Sequence, residues 1–221
     1  MIDASHLRAT RAGYDAVAAD YAAHFSAELD GKPFGRAMLA AFSELVRAAG
    51  NQPVLDVGCG PGNTAAHLDS LGTTVHGIDL SPSMVAAARY RHPALRFTEG
   101  SMSTLEQAGE SLGGVVAWYS IIHVPPDDLP HVFAEFHRVL IPGGHLLLAF
   151  QVGEEPLHVT RAFGRSLSLE FQRLQPEGVA ERLQREGFVV EASLVRAPDE
   201  EETTAHAHVL ARKPGAATVP R

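Results

Sequence analysis

The amino-acid sequence predicts an α/β fold: a Rossmann-like, seven-stranded, mostly parallel sheet with helices on both faces, an antiparallel final strand and additional N-terminal helices. From about residue 53, short apolar runs alternate with segments of helical periodicity, and this order favours a doubly wound sheet with right-handed crossovers. The apolar run over residues 145–150 (HLLLAF) is typical of a strand that helices cover on both faces.

The elements of this alternation follow from apolar spacing and from helix start and stop signals. Strands are expected over residues 54–57, 73–79, 95–99, 114–119 and 145–150. Ser81 followed by Pro82 is an N-cap with proline at the first helical position, which predicts a helix to about Arg91. Apolar residues at three- and four-residue steps predict a helix over 129–140, and we expect residues 142–144 (PGG) to end it.

The segments outside the alternation complete the expected domain. Helical spacing connects Tyr14, Val17, Ala18, Tyr21 and Phe25, and further elements are expected as a helix over 36–49, a hairpin within 157–171, a helix over 176–186 and strands over 189–195 and 203–212. We predict one domain over residues 1–213, made of a helical cap (1–50), a cofactor-binding core (51–150) and a substrate-side insertion with the final strands (151–213). The Pro/Gly/Ala-rich end, residues 214–221, predicts a flexible tail.

Composition excludes several classes of protein and of partner. Lys and Arg number 18 against 26 Asp and Glu, so the formal net charge of −8 disfavours a nucleic-acid substrate. Cys59 is the single cysteine, which leaves no partner for an intramolecular disulfide. No apolar stretch reaches membrane-spanning length and no signal peptide is evident, so we expect a cytoplasmic monomer or homodimer without membrane contact.

A glycine loop and a later acidic residue point to a ligand that contains adenosine. Gly58, Gly60 and Gly62 follow the first strand, and Asp79 ends the next strand about twenty residues on, where its carboxylate can accept both ribose hydroxyls. The loop departs from the G-x-G-x-x-G spacing of dinucleotide enzymes, because Asn63 follows Gly62 directly, and the chain has no P-loop motif. The spacing therefore favours an adenosine ligand other than NAD.

Four segments resemble the motifs of class I S-adenosylmethionine-dependent methyltransferases, in that family's order. They are VLDVGCGPG (54–62), GIDLSPSMVAAAR (77–89), EGSM (99–102) and HRVLIPGGHLLLAF (137–150). YDAVAADYAAHF (14–25) and residues 168–191 are similar, more loosely, to the bacterial small-molecule branch of that family. The resemblance implies transfer of a methyl group from S-adenosylmethionine to a small-molecule acceptor, as in natural-product tailoring, with S-adenosylhomocysteine as product.

The resemblance also implies roles for individual residues. Gly58, Cys59, Gly60 and Gly62 would shape the loop against the methionine part, and Asp56 would bind its ammonium group directly or through water. Asp79 would hold the ribose hydroxyls, while the adenine would be bordered by Leu80, Met84, Gly100, Ser101 and Met102. Many members carry aspartate where Ser101 stands, which weakens the expectation of a side-chain bond to the adenine amine. Tyr14 and Tyr21 would close over the cofactor, and Arg36 is a weaker candidate for its carboxylate.

The catalytic candidates are Tyr119 and His123, at and after the end of the fourth strand. The resemblance implies that Tyr119 lies beside the reacting methyl group, and His123 has a pKa suited to a general base if the acceptor must lose a proton. The alternative is that His123 only bonds a backbone carbonyl. His206 and His208 alternate on a strand and could pair on a metal, but no third ligand is evident, so no metal is expected.

Three other functions stay open at the level of sequence. A nicotinamide-dependent oxidoreductase could use a similar sheet, although the glycine spacing opposes it. A non-catalytic protein of the same fold could bind adenosine ligands, and Ser101 in place of the usual aspartate leaves room for that. Methylation of protein or nucleic acid is disfavoured by the charge and by the absence of a basic arm.

Overall fold

The fold was obtained as a computed structural model, which describes residues 3–200 and 202–215. The α-helices in this part of the chain are α1 (Ala4–His24), α2 (Pro33–Ala48), α3 (Asn63–Ser70), α4 (Pro82–Arg91), α5 (Leu129–Val139) and α6 (Pro176–Arg185). The strands are β1 (Val54–Val57), β2 (Val75–Asp79), β3 (Arg96–Glu99), β4 (Leu112–Trp118), β5 (Leu140–Gln151), β6 (Leu157–Ala162), β7 (Arg165–Phe171), β8 (Val189–Arg196) and β9 (His206–Arg212). A short 3₁₀ helix covers Ile121–His123.

Seven strands form one sheet in the order β3-β2-β1-β4-β5-β9-β8. Strands β1 to β5 pair in parallel, whereas β9 runs antiparallel to both of its neighbours, β5 and β8. The predicted Rossmann-like sheet with an antiparallel final strand is therefore confirmed. The strand order reverses direction beside β1, and such a switch point opens a crevice at the carboxyl ends of the strands.

Helices cover both faces of this sheet and divide the core into two clusters. On one face α5 and α6 bury apolar side chains against the sheet, including Phe133, Phe136 and Leu183. On the other face α2, α3 and α4 do so, with Phe42 and Leu68 fully buried. The apolar positions predicted for α5 are confirmed, because Leu129, Val132, Phe133, Phe136, Val139 and Leu140 are all 0% exposed.

The expected end of α5 is wrong in detail. The helix stops at Val139, and β5 begins at Leu140 and includes the Pro-Gly-Gly segment that was predicted to separate the two elements. The reason is tertiary: Gly143 N–H donates to the carbonyl of Lys213, and Lys213 N–H donates to Gly144, so the chain after β9 holds this segment in the sheet.

Helix α1 begins ten residues before its predicted apolar pattern. Asp3 caps it by accepting a hydrogen bond from the Ser5 N–H, while the following residues have no apolar periodicity from which a helix could be predicted. Val17, Ala18 and Ala22 are buried, and the helix packs against α4 and β7. The predicted hairpin is confirmed as the separate two-stranded sheet β6–β7.

The chain after β9 begins as an anchored segment. Lys213 is buried, and its Nζ donates hydrogen bonds to the carbonyls of His137 and Leu140. The same Nζ forms an ion pair with the Glu110 carboxylate. The predicted tail falls mostly on residues 216–221, which lie outside the described residues. Among the described helices, none has the length and apolar character needed to cross a lipid bilayer.

Candidate functional site

A cavity opens at the carboxyl ends of β1, β2 and β4 and is closed from above by α1. Most of the predicted site residues line it: Tyr14, Tyr21, Gly58, Cys59, Gly60, Asp79, Leu80, Met84, Gly100, Ser101, Met102, Tyr119 and His123. Asp56 and Gly62 do not line the cavity. Asp56 lies fully buried on β1, and Gly62 packs against Phe97 of β3.

The glycine loop after β1 has a shape that larger residues could not adopt. Gly58 has φ +69°, and a Cβ added there would lie 2.4 Å from the Cβ of Ser120 on the neighbouring loop. The Gly58 and Cys59 N–H groups both donate to the Ile78 carbonyl, which ties the loop to β2. Gly60 has no atom within 4 Å of where its Cβ would stand, so the cavity extends to its backbone.

Asp79 ends β2 and fixes the glycine loop through its carboxylate. One oxygen accepts the Gly60 N–H at 2.8 Å, and the other accepts the Ser81 N–H at 2.8 Å. Burial raises the pKa of Asp79 to about 6, and these backbone donors oppose that rise. The group is therefore largely ionised at neutral pH, and each oxygen keeps a lone pair for a ligand hydroxyl.

Asp56 is the most costly polar group of the site. Neither of its carboxylate oxygens has a hydrogen-bond partner within bonding distance among the described residues. Burial, followed by the negative charge of Asp79, raises its pKa to about 8. An ionised carboxylate would be destabilising in these surroundings, and the raised pKa keeps Asp56 largely protonated at neutral pH.

The capping helix is joined to the loop after β4 by Tyr14 and His123. The Tyr14 hydroxyl lies 2.6 Å from His123 Nε2, and His123 Nδ1 lies 3.1 Å from the Glu170 carbonyl on β7. Because a carbonyl oxygen only accepts, Nδ1 carries the proton and Nε2 accepts from Tyr14. Burial lowers the pKa of His123 to about 4, so the ring is neutral at physiological pH. Both of its nitrogens are engaged.

Tyr119 follows β4 in a left-handed backbone conformation, with φ +52°. Its hydroxyl lies 2.7 Å from His206 Nδ1, on the first residue of β9, and it also bonds the Arg196 guanidinium. Since arginine only donates, Nδ1 of His206 accepts, and burial lowers the pKa of His206 to about 4. A strained backbone conformation persists only where surrounding contacts stabilise it. For Tyr119 these contacts come from His206 and Arg196, which hold its ring in the cavity wall.

A partly buried ion-pair network stands behind Tyr119. Glu202 accepts from Arg196 and, at 2.7 Å, from the Lys32 Nζ, and Lys32 also pairs with Asp199. Hydrogen bonds from Arg196 and Lys32 hold the pKa of Glu202 well below its usual range, although burial opposes them. The charges of Lys32 and Arg196 are thus compensated within the network.

The sequence interpretation missed several lining residues, among them Glu28, Asn63 and Trp118. Asn63 was noted only as a departure from glycine spacing, yet its amide donates to the Phe25 carbonyl and joins the loop to the end of α1. The place of Trp118 in the cavity wall could have been predicted, because this residue ends β4 and the cavity opens at the carboxyl ends of the strands. Glu28 has no local signal, because it lies in the turn after α1 and reaches the cavity only through the tertiary fold.

The residues of two other sequence hypotheses, Arg36 as a cofactor contact and His206 with His208 as a metal pair, are engaged elsewhere in the structure. Arg36 donates to the carbonyls of Leu29 and Asp30, so it closes the turn before α2 and does not line the cavity. His206 bonds Tyr119 and Arg196, while both nitrogens of His208 are buried without a partner among the described residues, behind Trp118. The two rings lie on one face of β9, and the described residues contain no group of three potential metal ligands that would include them.

The residues present fit S-adenosylmethionine, the ligand that the sequence motifs imply. Asp79 can accept ribose hydroxyls, Met84 and Met102 offer apolar surface for a base, and Gly60 leaves room beside the loop. The largely ionised carboxylate of Asp79 suits a ligand whose net charge is positive. Tyr21 and Tyr119 add aromatic faces that attract a sulfonium cation modestly.

Comparison with known proteins agrees with this fit. A family model described as a methyltransferase domain matches residues 54–144. A demethylmenaquinone methyltransferase of Chlorobaculum parvum is 40% identical over 92 residues, which cover 41% of this chain and 37% of that protein. A trans-aconitate 2-methyltransferase of Variovorax paradoxus is 33% identical over 134 residues, 59% of this chain and 49% of that one. The matches thus span half or less of these relatives' length.

Solved structures share the fold over more of the chain. The DhpI–SAH complex superposes with a TM-score of 0.69 at 25% identity and covers 100% of both chains. The [4+2]-cyclase SpnF superposes with a TM-score of 0.60 at 19% identity, over 80% of this chain and 81% of its own. The second likeness concerns the fold alone, because a fold does not determine a reaction.

Proposed function

We propose that this chain, which belongs to the class I S-adenosylmethionine-dependent methyltransferases, transfers a methyl group from S-adenosylmethionine to a small-molecule acceptor. The observation that carries the proposal is Asp79, which ends β2, binds the glycine loop through Gly60 and lines the same cavity as Met84 and Tyr119. One cavity thereby holds a carboxylate that can accept ribose hydroxyls, a glycine loop and the aromatic side chain that follows β4.

The protein's contribution is binding and alignment. When bound, S-adenosylmethionine supplies a methyl group already activated by its sulfonium. Asp79 is proposed to accept the ribose hydroxyls, and Leu80, Met84, Gly100, Ser101 and Met102 to border the adenine. Gly58, Cys59, Gly60 and Gly62 shape the loop beside the methionine part, with Asp56 beneath it. Positioning of acceptor and donor accounts for much of the acceleration in a transfer of this kind.

The capping helix is proposed to close the site. Tyr14 and Tyr21 line the cavity from α1, and the bond from Tyr14 to His123 holds that helix over the loop after β4. We assign His123 a positioning role, because both of its ring nitrogens are engaged and a free lone pair for a proton is missing. Tyr119 is proposed to face the transferred methyl group, held by His206 and Arg196.

The wider setting is also proposed. The formal charge of −8 opposes a nucleic-acid acceptor, and we expect a cytoplasmic monomer or homodimer. The names of the relatives include both a quinone-type and an acidic acceptor, so they do not choose the acceptor of this chain.

A second function, that of a non-catalytic protein of this fold that binds an adenosine ligand, is favoured by Ser101, a lining residue that stands where many members of the family carry aspartate. In that case the chain would bind the cofactor, or a related adenosine ligand, without transferring its methyl group. Binding in the absence of turnover across an acceptor panel would favour this alternative.

The test is calorimetric titration of the purified protein with S-adenosylmethionine, S-adenosylhomocysteine and NAD. We expect micromolar binding of the first two ligands, loss of at least tenfold in affinity in Asp79→Ala, and no change in Asp69→Ala, an exposed carboxylate on α3. Binding of NAD alone, or of none of the three, would overturn the proposal. Release of S-adenosylhomocysteine in the presence of small-molecule acceptors would then separate methyl transfer from binding alone.

A further inference from the structure

The cavity wall carries a second carboxylate besides Asp79 that the cofactor roles above do not use. Glu28 lies in the turn after α1, is half-buried and lines the cavity. Its side chain makes no hydrogen bond and no ion pair with any other described residue, and only its backbone N–H is bonded, to Phe25. It is thus an unpaired acidic group directed at a ligand space.

The electrostatic neighbours of Glu28 define the end of the cavity on which it acts. Its charge raises the pKa of Tyr119 after β4 in addition to the effect of burial, whereas the pKa of Tyr21 on α1 is raised by the charges of both Glu28 and Asp79. Tyr119 lies beside β9, whereas Asp79 stands at the end of β2, on the other side of β1 in the sheet. Lys32, which ends the same turn, pairs with Glu202 in the ion-pair network behind Tyr119. Glu28 therefore lies in the turn that borders the Tyr119 end of the cavity.

No cation in the described part of the cavity wall compensates this carboxylate. Lys32 affects the pKa of Glu28 only through its charge, because its ammonium group is held by Asp199 and Glu202. Arg196 is paired with Glu202. Arg11 is the only lysine or arginine among the described lining residues, and it lies 3.7 Å from both Asp15 and Glu99, toward β3.

His123, the one histidine among the described lining residues, adds no positive charge to the cavity. The pKa of His123 is lowered to about 4 by burial, so its ring carries no charge at neutral pH. Glu28 is itself half-buried, and this burial raises the pKa of its carboxyl. A group with these surroundings gains most from a ligand that donates a hydrogen bond or carries positive charge.

We infer that Glu28 is the specificity-determining residue of the acceptor subsite, where it selects a neutral or cationic acceptor that presents an N–H or O–H donor. An amine or an uncharged hydroxyl compound satisfies the carboxylate. A carboxylate or phosphate acceptor meets an unpaired negative charge and finds no free cation in the described wall. This inference rests on the proposed function, because it presumes that the cofactor occupies the end of the cavity near Asp79.

The inference can be tested before any acceptor is identified. Sinefungin is an analogue of S-adenosylmethionine in which a carbon that bears a primary amine replaces the sulfonium sulfur and its methyl group. The amine is protonated at neutral pH and stands where the transferred methyl group would be, a position that is empty in S-adenosylhomocysteine. The amine therefore probes the acceptor side directly. We expect calorimetry to show that wild-type protein binds sinefungin at least tenfold more tightly than S-adenosylhomocysteine. Equal affinities for the two ligands would overturn the assignment.

Variants separate an acceptor role from a cofactor role. Glu28→Gln is expected to lose at least tenfold in sinefungin affinity and less than twofold in S-adenosylhomocysteine affinity, while Glu44→Gln, an exposed position on α2, changes neither. Equal losses for both ligands would mean that Glu28 contacts the cofactor, and unchanged affinities would mean that it contacts neither; either result overturns the inference. If wild-type protein binds neither ligand, the proposed function itself fails and the inference falls with it.

Discussion

The Tyr14 hydroxyl donates a 2.6 Å hydrogen bond to His123 Nε2, and the bond spans 109 positions of sequence. It connects the helix that covers the cavity to the loop at its floor, and His123 connects that loop in turn to Glu170 of β7. The two rings also meet edge to face, with centroids 5.1 Å apart. One half-buried histidine thus fixes the relative position of three elements around the site.

The energetic coupling between these two residues can be measured directly. Tyr14→Phe leaves His123 Nε2 without a donor, and His123→Asn removes the acceptor while keeping a donor near the Glu170 carbonyl. We expect each variant to lower the free energy of unfolding by about 1–3 kcal/mol. Urea denaturation of both variants and of the double variant should give a coupling of about 1 kcal/mol. Strictly additive effects would show that the bond is absent in solution.

Asp56 predicts a pH dependence of stability in the ligand-free protein. Its folded pKa of about 8 lies above the ordinary value, so the unfolded state loses its proton first as the pH rises. Stability is therefore lost progressively between about pH 4 and pH 8. Asp56→Asn removes the ionisation that causes this loss of stability. We therefore expect the free energy of unfolding of the variant at pH 8 to exceed that of the wild type by about 1–3 kcal/mol.

The measurement for Asp56 compares urea denaturation at pH 5 and pH 8. The gap between Asp56→Asn and wild type should widen at the higher pH. A gap that is equal at both pH values would contradict a raised pKa for this carboxyl.

Glu202 predicts the opposite pH dependence. Its folded pKa lies well below the ordinary value near 4.5, so its contribution is present above that value and is lost as the pH falls below it. Glu202→Gln leaves Arg196 and Lys32 without their shared partner, and we expect a loss of about 2–4 kcal/mol at pH 7. Glu181→Gln, in the exposed pair with Arg185 on α6, is the control and should cost less than about 0.5 kcal/mol.

The outcome for Glu202 is measured by urea denaturation at pH 7 and pH 3.5. The difference between Glu202→Gln and wild type should shrink at the lower pH, where the wild-type carboxylate begins to lose its advantage. Because the network also holds Tyr119 through Arg196, cofactor affinity should fall in the same variant. A variant as stable as the Glu181→Gln control would mean that the network contributes nothing to folding.

Gly58 predicts a steric effect that can be separated from a conformational one. Gly58→Ala combines φ +69° with a Cβ placed 2.4 Å from the Ser120 Cβ, whereas Gly143→Ala has φ +85° and no atom within 4 Å. The control should lose about 1–2 kcal/mol for the left-handed backbone alone. Gly58→Ala should lose a further amount of about 1–3 kcal/mol, because the core must shift.

Thermal or urea denaturation of the two glycine variants provides the comparison. Gly58→Ala should also weaken binding of S-adenosylhomocysteine, since the loop it distorts lines the cavity, whereas Gly143→Ala should not. Equal losses of stability in the two variants would show that the loop adjusts freely around Ser120.

The sequence by itself determined the sheet and the cofactor end of the site. Periodicity identifies α5 and the buried strands, because the pattern of apolar residues is set by which face an element buries. The glycine loop and Asp79 can also be predicted from short stretches of sequence. The loop requires positive φ at Gly58, which favours glycine, and the carboxylate follows at the end of the next strand.

Only the tertiary structure decided the acceptor end. Tyr119 meets His206 across 87 positions, and Lys32 meets Glu202 across 170, so no local pattern records either contact. Glu28 lies in an irregular turn with no periodicity. It has no ion-pair partner because the nearby Lys32 is already paired with Glu202. A local pattern reports burial within one element, whereas the chemistry of this site depends on distances between loops that the fold alone brings together.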